Sequence, residues 1–187
     1  KSVLNNSNST VERKALAVAL VTYGGYAQKN FNVSADEPAY ALLDELSIAQ
    51  LDLSAVTAET VDGYRNAQTN TNMGVKASQT EAVLDSYISY RVYLSVEGDI
   101  SNYTFSVVTP TGERTLECSY DSARGYYVEI PDIASGYIDY NYKLIVTNAE
   151  GETNEITTSV LAYVRKVLGN TSNSQDKINL AKALYLY

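Results

Sequence analysis

The two ends of the chain are copies of one another. No other feature of the sequence constrains the fold as much. Residues 1–23 align with residues 165–187 at a constant offset and without a gap. Eight positions are identical: Val3/Val167, Leu4/Leu168, Asn6/Asn170, Leu16/Leu180, Ala17/Ala181, Ala19/Ala183, Leu20/Leu184 and Tyr23/Tyr187. The charges agree as well, at Lys1/Arg165, Glu12/Asp176 and Arg13/Lys177. Ser9 with Glu12, and Asn173 with Asp176, stand at capping-box spacing, which predicts a helix start in each copy. After the cap, Leu16, Leu20, Tyr23 and Ala27 form an apolar stripe of helical period, and Leu180, Leu184 and Tyr187 repeat it. Before the cap, Leu161, Val164, Val167 and Leu168 share a helical face and Gly169 suits its end, so the C-terminal unit reads as a helical hairpin. In the N-terminal copy only the last turn of the first helix remains, at Lys1–Leu4. Either the chain is one period of a tandem array, or one domain carries two related hairpins.

Between the copies the period changes. Residues 36–46 (DEPAYALLDEL) predict a further helix, with Pro38 and acidic residues in its first turn. Residues 48–74 show no sustained period and read as irregular linker. From Val75 the apolar period is two: Ile88, Tyr90, Val92, Leu94 and Val96 alternate with polar neighbours. Similar runs follow at Tyr103–Val108, Thr115–Tyr120, Tyr126–Ile130, Tyr137–Thr147 and Thr153–Thr158, separated by glycine-bearing turns. Short strands at this spacing predict about seven strands of an antiparallel sandwich of immunoglobulin or fibronectin type. Cys118 alternates in phase with Leu116 and Tyr120 and reads as a core residue. The fold class expected is therefore α+β: a sandwich over 75–158, helical segments at 1–47 and 159–187 packed together beside it as one unit, and a linker at 48–74.

Composition narrows the chemistry. With no His and a single Cys, the chain has no Ser-His or Cys-His dyad, no histidine-ligated metal, no internal disulfide and no cysteine-rich cluster. A net charge of −8 argues against nucleic acid and anionic membranes as partners. The apolar run Ala15–Val21 is too short to span a bilayer. The first residue is Lys1 rather than Met, so a processed or excised fragment is expected. A Tyr-, Thr- and Asn-rich, acidic, Cys-poor chain reads as extracellular and bacterial. Its 17 Tyr are mostly core residues with wet hydroxyls: Tyr90, Tyr103, Tyr120, Tyr126, Tyr140 and Tyr142 fall on apolar stripes.

Four chemistries compete with a scaffold role. Glu117, Glu129, Asp132 and Asp139 lie in or beside strands, but no pair is set apart by apolar surroundings as acid and base of a glycosidase, so no enzyme is expected. Asp99, Asp121 and Asp132 sit near turns without calcium-loop spacing and read as solvated acids, so neither metal nor cofactor is expected. Tyr93 and Tyr127 have polar in-phase neighbours and are the tyrosines expected to be exposed, hence the candidates for stacking on a sugar. Lys76 on the first strand and Asn154 on the last, with Glu129 between them in sequence, are the candidates for a Lys–Asn isopeptide bond.

The phrase TYGGYAQKNFN at Thr22–Asn32 and the closing SVLAYVRKVLGNTSNSQDKINLAKALYLY at Ser159–Tyr187 carry a resemblance over the order of elements. The chain resembles helix-flanked β modules of large secreted or cell-surface proteins of gut Firmicutes such as ruminococci and clostridia. That resemblance implies a non-catalytic structural or adhesion module without established activity, so it transfers no functional residue. Its implied partners are neighbouring modules of the same protein, or a surface protein or glycan, with self-association through the terminal helices. A carbohydrate-binding module using exposed tyrosines is the alternative.

Overall fold

The computed structural model describes residues 2–33, 52–62, 66–84 and 87–187. The predicted helix at 36–46 lies outside the described residues. The chain forms two compact units, residues 1–61 with 164–187, and residues 62–163. The fold is α+β, with two antiparallel sheets and helices near both ends.

In the helical unit the duplication is visible bond for bond. Helix α1 (Ser2–Asn5) leads to α2 (Val11–Asn30), and α3 (Val160–Leu168) leads to α4 (Gln175–Leu186). The loop of copy one places Asn6 N–H on Val3 O at 3.4 Å, Asn8 N–H on Asn6 Oδ1 at 2.9 Å and Ser9 N–H on Asn6 O at 3.1 Å. Copy two repeats these bonds with Asn170 to Val167 (3.3 Å), Ser172 to Asn170 Oδ1 (3.0 Å) and Asn173 to Asn170 (3.1 Å). The shared asparagine at 6 and 170 thus ties the same turn twice.

The expected caps shift by one residue. Ser9 and Asn173 N–H close the turn, so the next hydroxyl takes the cap. Thr10 accepts from Arg13 N–H and Ser174 from Lys177 N–H, each at 3.3 Å. The third helical residue is then Arg13 or Lys177, and no acidic residue stands where a capping box needs one.

The two long helices pack on each other. Ala19 and Ala183, the same position of the two copies, are both buried, and the rings of Tyr23 and Tyr187 stack at 5.4 Å with 9° between their planes. Tyr23 thus meets its own counterpart across the helix pair. In α2 the buried face is Val18, Ala19, Thr22 and Gly25 rather than the leucine stripe. Thr22 satisfies its buried hydroxyl by donating to Val18 O at 2.7 Å. Leu16 and Leu20, expected inside, are 51% and 43% exposed.

Among the described residues the sheet unit has nine strands, two of them from one expected run, where about seven were expected. One sheet runs β1 (Ala67–Gln68), β9 (Thr153–Thr158), β8 (Tyr142–Asn148), β4 (Tyr103–Thr109), β5 (Gly112–Leu116) in spatial order. The other runs β2 (Val75–Leu84), β3 (Ile88–Val96), β7 (Gly125–Ile133), β6 (Cys118–Asp121). The single run expected at Thr115–Tyr120 is two strands. The chain leaves one sheet after Leu116, passes exposed Glu117 and joins the other at Cys118. Period-two alternation passes straight through such a crossing, which is why the sequence pattern did not reveal it.

Each sheet has one buried apolar face. Phe105, Val107, Leu144, Val146 and Ile156 are buried on the first, and Tyr90, Val92, Leu94, Val128 and Ile130 on the second. Side chains of β1 and β9 reach main chain of β2. Gln68 Oε1 accepts from Ala77 N–H at 2.8 Å, and its Nε2 donates to Ala77 O at 3.3 Å. Asn154, fully buried, donates Nδ2 to Val75 O at 3.0 Å. The boundary of the sheet unit therefore falls at residue 62, within the stretch expected to be linker.

Candidate functional site

Among the described residues of the sheet unit, charged and aromatic side chains cluster on the face of the four-stranded sheet opposite its apolar one. Register builds the cluster. Glu81 is opposite Arg91 and Arg91 opposite Glu129, while Gln79 is opposite Tyr93 and Tyr93 opposite Tyr127. A bulge between Ala77 and Gln79 sets this phase, with the extra Ser78 hydroxyl donating to Tyr93 O at 3.2 Å. Arg124 arrives from the turn between β6 and β7, whose N–H groups at Ala123 and Arg124 donate to Asp121 Oδ1 at 2.8 and 3.0 Å.

Within the cluster each group is spent on another. Arg91 Nε donates to Glu129 Oε2 at 2.7 Å, and its guanidinium lies 4.9 Å from the Tyr127 ring centre. Arg124 pairs with Glu81 Oε1 at 2.8 Å and lies 5.1 Å from the Tyr93 ring centre. The Tyr93 hydroxyl donates to Glu81 Oε2 at 3.0 Å, and the two tyrosine rings meet at 5.5 Å. Burial, then the hydrogen bond to the Glu81 carboxylate, pushes the Tyr93 phenol above its ordinary value, so it stays a donor. The bond to Glu129 raises Arg91 likewise. Guanidinium on aromatic face contributes about 0.5–1 kcal/mol at partly exposed sites, and such a contact occupies the face a sugar would use.

Here the sequence expectation is corrected. Tyr93 is 1% exposed, with Glu81 and Tyr127 from the neighbouring strands and Arg124 from the β6–β7 turn against it. Tyr127 is half-buried with Arg91 against its ring. Polar in-phase neighbours predicted exposure, but groups from elsewhere in the sheet cover the rings, Glu81 and Arg124 at Tyr93 and Arg91 at Tyr127. Conversely Tyr120, expected in the core, is 65% exposed and meets Tyr126 edge-on at 5.1 Å. It stands on an edge strand, where an inward stripe runs out of partners. Cys118, on the same strand, is half-buried for the same reason, and burial raises its thiol. Tyr87 and Tyr137 are also exposed, at 69% and 45%. Tyr90 and Tyr142 do lie in the core, and burial pushes Tyr142 up to about 12.

The three residues considered for an isopeptide bond have other engagements. Asn154 donates to Val75 O and accepts from Asn70 N–H at 3.0 Å, Glu129 holds Arg91, and Lys76 is exposed. A buried amide bonded at both its nitrogen and its oxygen is a structural link, and it is accounted for by the join between β9 and β2. The turn acids act locally too, since Asp99 accepts from Ser101 N–H at 2.9 Å and its carboxyl is held below the usual range by that bond. Among the described residues no three acidic or thiol side chains gather to hold a metal ion, and no helix is long and apolar enough to cross a membrane.

Two antiparallel sheets in one unit and a duplicated helical hairpin in the other define the class of protein. Compared with models of protein families, with curated proteins and with solved structures, the chain matches none.

Proposed function

We propose that this chain is a non-catalytic structural or adhesion module of an extracellular or cell-surface multidomain protein. In this reading its two sheets close face to face as a sandwich of immunoglobulin or fibronectin type, and the protein is of the kind made by gut Firmicutes. The observation that carries the reading is the placement of the duplication. Both copies belong to one helical unit, and the whole sheet unit is inserted between them. A sheet unit inserted in sequence between two copies of one helical hairpin suits a spacer module. The self-satisfied patch around Tyr93 supports the same reading, because its charges and rings hold each other.

A second reading, carbohydrate binding, is favoured by exposed Tyr120 beside Tyr126. A polysaccharide array probed with the purified chain, with hydrolysis measured on the same panel, separates the two. The module reading expects neither turnover nor binding at millimolar Kd or tighter. Binding abolished by Tyr120→Ala would replace it with the second reading. Surface labelling of cells that make the parent protein tests the location, and labelling seen only after lysis would overturn it.

A further inference from the structure

Tyr23 on α2 and Tyr187 at the end of α4 hold the same position of the two copies. Their rings lie nearly parallel, 9° apart, with centres 5.4 Å from each other. Packing asks only for the rings. The hydroxyls add a chemistry of their own, because a phenol gives up one electron and one proton to become a phenoxyl radical. Composition sends such an oxidation to tyrosine. The chain has 17 Tyr, no Trp and no His, with one Met and one Cys. Met73 is buried, and Cys118 is half-buried with its thiol raised by burial, so little reactive sulfur competes.

Tyrosine pairs of the sheet unit suit coupling less. Tyr120 and Tyr126 meet at 68° and Tyr140 and Tyr142 at 74°, so the edge of one ring points at the face of the other. Tyr142 is also buried, with its phenol pushed up to about 12. Tyr93 and Tyr127 are tilted by 44°, and Tyr93 is buried against Arg124 with its hydroxyl bound to Glu81. Tyr23 and Tyr187 are half-buried. Partial exposure leaves them open to loss of an electron, while their stacked faces are turned to each other. Two reactants held in this way have an effective concentration far above that of free partners.

We propose that Tyr23 and Tyr187 form an oxidative cross-linking site, which a peroxide-driven one-electron oxidant converts to a dityrosine. Each phenol loses one electron and one proton. The two phenoxyl radicals join through ring carbons beside their oxygens, and the two hydrogens on those carbons move to the oxygens as the rings regain aromaticity. The product holds one new C–C bond and two fewer hydrogen atoms. The electrons and protons pass to hydrogen peroxide, which leaves as two waters. The link ties copy one to copy two and closes a covalent loop around residues 24–186. It supplies an internal staple that a single Cys cannot form. The site is independent of the module reading.

The test treats the dilute full chain with a haem peroxidase and hydrogen peroxide and isolates the monomer. Its intact mass is expected to fall by two hydrogen atoms, and the blue fluorescence of dityrosine to appear. Trypsin cleaves after Lys14, Lys29 and Lys182, so residues 15–29 are expected to be joined to residues 183–187. Those peptides also hold Tyr26 and Tyr185, so single substitutions locate the bond. Tyr23→Phe and Tyr187→Phe keep the rings and remove the phenols, with circular dichroism to confirm that the helices are intact. Each is expected to lower the yield of the joined peptide at least about tenfold, because the held pair is gone. Tyr26→Phe and Tyr185→Phe are expected to leave the yield unchanged. An oxidised monomer without the joined peptide overturns the site. So does a joined peptide that survives Tyr23→Phe or Tyr187→Phe, or one found only in covalent dimers.

Discussion

Leu184 is fully buried and Leu20 is 43% exposed, although both follow the same cap, in the same phase, in helices that pack on each other. The pair shows that an apolar stripe specifies which face wants cover and says nothing of whether cover is present. The same three residue types are exposed at Val3, Leu16 and Leu20 and buried at Val167, Leu180 and Leu184.

The comparison can be broken most directly at those leucines. Leu184→Ala is expected to cost about 2–5 kcal/mol, the range for buried leucines, and Leu20→Ala about 1 kcal/mol or less. Urea melts followed by circular dichroism would measure both, and equal losses would mean that the faces are covered alike. The caps come next and should behave alike. Thr10→Ala and Ser174→Ala are each expected to cost about 1 kcal/mol, because each removes one acceptor from a helix start. A loss confined to Ser174→Ala would show that copy one's helix start is held by something other than its cap.

Asn173 sharpens the difference between copies. Its Nδ2 donates back to Val167 O at 2.9 Å, closing the hairpin of copy two, while Ser9 holds the same place in copy one. Asn173→Ala is expected to cost about 0.5–1.5 kcal/mol and Ser9→Ala only a few tenths. The smallest effect is in pH. The backbone N–H of Glu12, then the Thr10 hydroxyl, hold the Glu12 carboxyl below its ordinary value of 4.5. A carboxyl lowered on folding adds stability that is present above the unfolded value and is lost as pH falls through the folded one. Melting temperatures of the wild type and Glu12→Gln should therefore differ slightly at neutral pH and converge below pH 4.5. A difference that persists in acid would assign it to packing rather than charge.

Much of the secondary structure was legible because it rests on local patterns. The repeat, both long helices, the loop asparagines and most strands are encoded within a few residues of where they act. Misplaced details had longer reach. The caps moved by one residue because Ser9 and Asn173 were needed to close turns onto Asn6 and Asn170. The run at Thr115–Tyr120 became two strands because Leu116 pairs with Phe105 and Cys118 with Val128, in different sheets. The pattern places Tyr93 on the surface because its polar neighbours in the chain say nothing of Glu81 and Arg124 across the sheet.

The amino-acid order by itself determined the class of elements, the duplication and the chemistry that no His and one Cys forbid, since those depend on residue type and on spacings of a few positions. Tertiary structure alone decided which leucines are covered, which tyrosines are open and which amide joins β9 to β2. Each of those depends on a neighbour that is distant along the chain, and burial is a property of the pair of surfaces rather than of the residue.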